Sequence, residues 1–175
     1  MTQSNPHLKK ADILIVDDTL MNLRILSKML SDQGYEVRQA ISGKMALTAV
    51  QSSPPSLILL DIMMPDIDGY QVCSSLKDNP ETIDIPIIFI SALDDVLDKV
   101  RAFKSGAADY VTKPFEFEEI LVRVQNQLAL KDAKEKLNLL NNQLEKRVEK
   151  RTRQLEDANT KLLEMALHDP LTGLP

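Results

Sequence analysis

Short apolar runs that alternate with amphipathic stretches are the feature of this sequence that most limits how it can fold. The runs are ILIV (13–16), EVRQA (36–40), LILL (57–60), IPIIFI (85–90) and DYVT (109–112). The strongest of them lack the polar alternation of a half-exposed strand, which is typical of parallel sheets covered on both faces. We therefore predict an α/β fold, (βα)5, with a doubly wound parallel five-stranded sheet of the flavodoxin-like type.

The stretches between these runs have helical spacing. Apolar residues recur every three or four positions after Thr19, and Gly34 then ends the stretch in the manner of a helix C-terminal cap. Similar stretches cover 43–52, 69–78 and 94–104. A further helix is expected from about Leu121, and each helix would cross from one strand to the next.

The last quarter of the chain has a different character. From about Leu128 charged residues of both signs dominate, with no Gly or Pro before Pro170, which predicts one long helix instead of a second core. The predicted organisation is an N-terminal tail at 1–10, a globular domain at 11–130, a helical segment at 131–166 and the start of a further domain at 167–175.

This helical segment carries an apolar stripe. Its members are Leu137, Leu140, Leu144, Val148, Leu155 and Leu162, with spacings of 3, 4, 4, 7 and 7. The spacing departs from a strict heptad and partly fits an 11-residue repeat, so a supercoil would be locally unwound. We favour a dimer seam over a solvated single helix, because a single helix would expose the stripe.

Polar residues follow the predicted strands. Asp17 and Asp18 follow the first strand in the chain, Asp61 follows LILL, Ser91 follows IPIIFI, and Lys113 follows DYVT. The carboxyl ends of parallel strands form one ligand-binding edge of a sheet. Converging carboxylates repel one another unless a cation lies among them, and oxygen ligands in a wet site suit Mg²⁺.

Asp61 is the candidate nucleophile of this site. Carboxylates attack phosphorus to form aspartyl phosphates, and the metal, Lys113 and Ser91 would offset the charge of the transferred group. The other acids of this stretch, Asp66 and Asp68, fit turn and capping roles ahead of the helix from about Gly69.

Composition and charge limit the partners and the location that this chain can be expected to have. The net charge of −5 gives no general reason to expect nucleic acid or membrane partners, and acids interleave the basic run KRVEKRTR. No apolar run is long enough for a bilayer span, and the N-terminus lacks a signal-peptide core, so we expect a cytoplasmic protein. Cys73, the single cysteine, fits a small buried residue.

Four motifs in order, ILIVDD, LLDIMMPDIDG, PIIFISA and GAADYVTKPF, resemble the receiver domain of bacterial two-component response regulators over about residues 10–130. The resemblance implies that a histidine kinase or phosphotransfer protein phosphorylates Asp61. It implies that Mg²⁺ is bound by Asp61, the two acids after the first strand, and the main-chain carbonyl of Met63. It also implies that Ser91 moves to the phosphoryl group while Tyr110 turns inward, and that Lys113 precedes a cis peptide bond.

Residues 168–175, HDPLTGLP, resemble the opening of the GGDEF diguanylate cyclase domain. The helix before them is similar to signalling helices that join sensory modules to cyclases or kinases. The resemblance implies a regulatory module, not an enzyme, because the GGDEF loop itself is not in this sequence. Phosphorylation would change how two receivers meet and so pass through the coiled coil to the cyclase.

Alternatives remain open at this stage. A haloacid-dehalogenase-like phosphatase uses a similar set of groups, but it needs an acid where this chain has Met63. Two further alternatives are an unphosphorylated dimerisation platform and a receiver of a hybrid histidine kinase or a GGDEF-EAL protein. Apolar residues at Met63 and Leu93, where some receivers carry acids or amides that position water, suggest a long-lived phosphoryl state.

Overall fold

The structure, a computed structural model, describes residues 11–92 and 96–168. Its strands and helices alternate in the order β1 Asp12–Val16, α1 Leu20–Asp32, β2 Glu36–Ala40, α2 Gly43–Ser52, β3 Leu57–Asp61, α3 Gly69–Lys77, β4 Ile87–Ser91, α4 Val96–Lys104, β5 Asp109–Thr112 and α5 Phe117–Leu167. The sheet order is β2-β1-β3-β4-β5, and every neighbouring pair is parallel. The predicted (βα)5 flavodoxin-like fold is confirmed.

The strands lie where the apolar runs predict them, with small shifts at their ends. β3 and β4 each include the polar residue that follows the run, Asp61 and Ser91, and both strands are buried throughout. β4 begins at Ile87 instead of Ile85, because Pro86 has no N–H to donate to a neighbouring strand. The carbonyl of Pro86 still accepts a hydrogen bond from Ile58.

Two hydrophobic clusters cover the two faces of the sheet. On one face α1 and α5 pack side chains such as Leu23, Leu26 and Val124 against the strands. On the other face α2, α3 and α4 contribute residues such as Val50, Val72 and Ala102. This is the two-sided burial that strands without polar alternation require.

The helix from Gly69 begins as the sequence predicts, and the two acids before it bind different partners. Asp68 accepts a hydrogen bond from the main-chain N–H of Gln71, whose side chain binds back to Asp68 in a capping box. Asp66 instead binds the main chain of α2. Asp66 also accepts a hydrogen bond from the main chain of Ile67 in its own loop, as the predicted turn role requires, but the cap of α3 is Asp68.

The chain divides into two units, residues 1–131 and 132–175. In the first unit α5 buries Ile120 and Val124, and in the second every described side chain is exposed. Among the described residues, no helix combines the length and apolarity needed to cross a membrane. Leu93 and the ranges 1–10 and 169–175, which include most of HDPLTGLP, lie outside the described residues.

Candidate functional site

Three carboxylates meet at the carboxyl edge of the sheet, because β1 and β3 are parallel neighbours that end side by side. Asp17 and Asp18 follow β1, Asp61 ends β3, and one carboxylate oxygen from each lies within 4.8 Å of the others. Asp17 and Asp61 are buried, at 3% and 6% exposure, whereas Asp18 is exposed. The cluster is therefore open to solvent on one side only.

Local hydrogen bonds fix the orientation of Asp17. The main-chain N–H of Thr19 donates to Asp17 Oδ1 at 2.8 Å, and the Asn22 side-chain amide donates to Oδ2 at 3.0 Å. The sequence interpretation missed Asn22. Its only signal is a polar residue in the first turn of α1, five positions after Asp17, on the side that turns back toward the strand end.

Lys113 joins the two buried acids. Its Nζ lies 3.2 Å from Asp17 Oδ2 and 3.4 Å from Asp61 Oδ2. The backbone holds Lys113 in place, because its N–H donates to the carbonyl of Ser91 at 2.8 Å. The bond between Lys113 and Pro114 is cis, as the resemblance implies.

The Lys113 ammonium does not fully offset the negative charge at this edge. Burial raises the pKa of Asp61, Lys113 opposes that rise, and the neighbouring charge of Asp17 adds to it. The main-chain N–H of Met63, 3.3 Å from Asp61 Oδ1, also favours the ionised form. The net direction is upward, so further positive charge at this edge would stabilise the ionised Asp61.

The donor set fits a hard divalent cation. Three carboxylates offer oxygen ligands at a solvent-accessible edge, and a cation there would oppose the burial that raises the pKa of Asp61. Mg²⁺ takes oxygen ligands, retains several waters and uses only one or two carboxylates directly. The exposed Asp18 leaves room for those waters.

The remaining predicted residues surround this cluster in different ways. Ser91 ends β4 and is fully buried, and Tyr110 of β5 is 6% exposed, so its ring already lies inward in this structure. Met63 follows β3 with its side chain exposed. The six stripe residues of α5 belong to the other unit, residues 132–175.

Buried carboxylates, a bridging lysine and a buried serine at the carboxyl edge of a (βα)5 sheet define the receiver class. The sequence profile described as the response regulator receiver domain matches residues 13–125, and the chain belongs to that family. Response regulator PleD of Caulobacter vibrioides is 43% identical over 116 residues, which are 66% of this chain and 26% of that protein.

Other similar proteins have different descriptions. The DNA-binding dual master transcriptional regulator RpaA of Synechocystis sp. is 42% identical over 113 residues, which are 65% of this chain and 47% of that protein. The crystal structure of the receiver domain of a signal transduction histidine kinase from Syntrophus aciditrophicus is 34% identical, with a TM-score of 0.64 over 68% of this chain and 90% of that one. The chain spans half or less of the curated relatives described here.

Proposed function

We propose that this chain accepts a phosphoryl group on Asp61 from a histidine kinase or phosphotransfer protein and transmits the change through its last helix. The observation that carries the proposal is Lys113 Nζ within 3.4 Å of both Asp17 and Asp61, with the third acid in the same cluster. Membership of the receiver family supports it.

In this reaction the Asp61 carboxylate attacks phosphorus. A P–O bond to Asp61 forms, the P–N bond of the phosphohistidine breaks, and its electron pair returns to the imidazole. Mg²⁺, held by Asp17, Asp18, Asp61 and the Met63 carbonyl, would supply a positive charge beside the transferred oxygens. Lys113 provides a second positive charge, and Ser91 a hydroxyl that can donate to the phosphoryl group.

Intact-protein mass spectrometry after incubation with acetyl phosphate and Mg²⁺ tests the acceptor. We expect one phosphoryl addition on the wild type, none on Asp61→Asn, and an unchanged addition on Asp32→Asn, a control at an exposed acid at the end of α1. Absence of any addition on the wild type would instead favour a receiver that serves only as a dimerisation platform.

We further propose that residues 11–130 form the receiver module, 131–166 pair as a parallel coiled coil, and 167–175 begin the next domain. The exposure of every stripe residue by 50% or more supports pairing, because these leucines and valine find no partner within the described chain. Sedimentation of the chain with and without beryllofluoride measures the dimer. A monomer at every concentration in both states would contradict the seam.

The signal would leave the site through the face formed by α4, β5 and α5. Phosphorylation replaces the single negative charge of the Asp61 carboxylate with an acyl phosphate that carries about two at neutral pH, and we propose that Ser91 and Tyr110 adjust to it. The charged residues of this face are Lys99, Arg101, Asp109, Glu119 and Arg123. Arg123 binds Asp109 and Glu119 within the chain, so an intersubunit pair would first have to exchange these bonds.

For the output we propose a diguanylate cyclase domain, on the resemblance of residues 168–175 to its opening. The similarity to RpaA favours a second candidate, a DNA-binding output. RpaA is a transcriptional regulator, and its identity to this chain, 42%, is close to the 43% of PleD. The coding sequence after Pro175 distinguishes the two outputs. A GGDEF loop would support the cyclase, and an EAL domain after it would add a second output domain. A DNA-binding domain or a kinase core would replace the cyclase assignment.

The lifetime of the phosphoryl group is a separate proposal. Met63 is 61% exposed beside the acceptor and presents a thioether, which is a poor partner for an attacking water. We expect slow hydrolysis, followed as phosphate release after removal of acetyl phosphate. Met63→Glu should shorten the lifetime, and a wild-type lifetime of seconds would contradict the proposal.

A further inference from the structure

The loop between β3 and α3, residues 62–68, carries the Met63 carbonyl and is here called the acceptor loop. Its two ends are joined by a hydrogen bond from the Gly69 N–H to the Ile62 carbonyl at 2.9 Å. Met64 and Ile67 pack against the hydrophobic core. Asp66 attaches the loop to a separate helix, α2.

Asp66 binds the first turn of α2 through both carboxylate oxygens. Its Oδ1 accepts from the Gly43 N–H at 3.2 Å, and its Oδ2 accepts from the Lys44 N–H at 2.9 Å. The first N–H groups of a helix have no intrahelical acceptor and lie at the positive end of its dipole. These bonds, the Lys44 bond first, lower the pKa of Asp66, so the attachment is ionic at neutral pH.

Asp66 is not needed for α2 to have an N-terminal cap. Ser42, the residue before the helix, already accepts from the Met45 N–H at 3.2 Å. Asp66 adds acceptors from a loop 22 and 23 positions away in the chain. The extra bonds therefore tie two separate segments together, which a local cap cannot do.

Gly43 permits the close approach of the two segments. A Cβ on Gly43 would lie 2.4 Å from Ile67 Cγ1 and 3.0 Å from the Ile67 carbonyl oxygen. A side chain at position 43 would therefore force Ile67 of the acceptor loop to shift away from α2, together with Val72 of α3, whose Cγ2 would be 2.9 Å away. The close contact therefore depends on two residues, Asp66 on the loop, which accepts the hydrogen bonds, and Gly43 on the helix, which has no side chain to block them.

We propose that Asp66 is a positioning residue for the Mg²⁺ site: by fixing the acceptor loop to the N-terminus of α2, it holds the Met63 carbonyl at the distance from Asp17 and Asp61 that the ion requires. The proposal rests on the proposed function, which makes that carbonyl a ligand. The acceptor loop is short, and Asp66 is three residues from Met63, so a shift at one is transmitted to the other.

Mg²⁺ titration of the ¹⁵N-labelled chain, followed by amide shifts, measures the affinity directly. Asp66→Ala and Gly43→Ala should each weaken Mg²⁺ binding by about 3-fold to 10-fold, below the usual effect of direct partners of metal ligands. Asp66→Asn keeps one acceptor and should restore part of the affinity. Ser42→Ala is the matched control, because it removes a hydrogen bond from the same helix end without touching the loop.

Equal losses in Ser42→Ala and Asp66→Ala would overturn the proposal, since they would trace the effect to the stability of α2. Unchanged affinity in both Asp66→Ala and Gly43→Ala would overturn it as well, as would absence of Mg²⁺ binding by the wild type. Thermal unfolding identifies any variant that fails to fold. If Asp66→Ala does not fold, the Mg²⁺ affinities of Asp66→Asn and Gly43→Ala decide the role of Asp66.

The acetyl phosphate reaction gives a second readout. A positioning role predicts that Asp66→Ala needs more Mg²⁺ for half its maximal rate but approaches the wild-type rate at saturation. A rate that stays low at saturating Mg²⁺ would contradict positioning. If the wild type binds Mg²⁺ but is never phosphorylated, the proposed function fails, whereas the order of affinities among the variants still decides the role of Asp66.

Discussion

The receiver unit and the helical segment after Lys131 use their apolar residues in opposite ways. In the receiver, two clusters bury apolar side chains on both faces of the sheet, and the acids buried among its described residues, Asp17 and Asp61, lie at its carboxyl edge. In residues 132–168 every side chain is exposed, including the whole stripe. In proteins, most of the stability of a helix comes from tertiary packing of its apolar face. The receiver therefore stabilises itself, whereas the helical segment, on the proposed pairing, would gain stability from a partner.

The largest expected difference compares one substitution in the two units. Leu59→Ala, at a fully buried position of β3, should lower the free energy of unfolding by about 3–5 kcal/mol, because it leaves a cavity in the core. Leu144→Ala, at a position that is 50% exposed, should change it by less than about 1 kcal/mol in dilute solution. Urea unfolding of both variants measures this, and equal losses would contradict the division into self-stabilised and partner-dependent parts.

Lys113→Met tests the charged edge of the receiver. Removing the ammonium leaves Asp17 and Asp61 buried beside each other, so we expect a loss of about 1–3 kcal/mol in metal-free buffer, moderated by the partial exposure of the site. Saturating Mg²⁺ should recover part of the loss. Lys104→Met, at the exposed end of α4, is the control, and an equal effect there would argue against charge balance at the edge.

If the stripe is a dimer seam, the helicity of the chain depends on protein concentration, whereas the fold of the receiver core does not. Wild-type helicity at a fixed temperature should rise with protein concentration, and Leu144→Ala should weaken self-association by about tenfold, or 1.4 kcal/mol. Gln143→Ala, also exposed but outside the stripe, is the control. Circular dichroism and sedimentation over a dilution series measure both, and helicity independent of concentration would argue against pairing.

The sequence predicts most of the fold because β3 and β4 are apolar up to the polar residue that ends each of them. Such strands must be buried on both faces, which requires a sheet with helices on both sides. The sequence also places Asp17, Asp61 and Lys113 together, since parallel strands end at one edge. It does not predict the partner of Asp66 or the role of Asn22. Those depend on how a loop or a first helical turn approaches another segment, which no local pattern encodes.

Asp61→Asn has a small expected effect on stability, and the sign of that effect distinguishes the site from an ordinary surface. The pKa of Asp61 is raised on folding, mainly by burial, so the folded state retains the proton to a higher pH than the unfolded chain. Stability from this group is therefore lost as pH rises from the ordinary range of an aspartate through the raised pKa.

The neutral Asn removes that loss. In metal-free buffer at neutral pH we expect Asp61→Asn to be more stable than wild type by about 1 kcal/mol, and the two to converge below the ordinary pKa of aspartate. Saturating Mg²⁺ should reverse the order, because only the carboxylate gains from the cation. Urea unfolding at acidic and neutral pH measures the difference. A less stable Asn variant at neutral pH without metal would mean that Lys113 outweighs burial and the charge of Asp17, and that the acceptor carboxylate is already balanced before the cation binds.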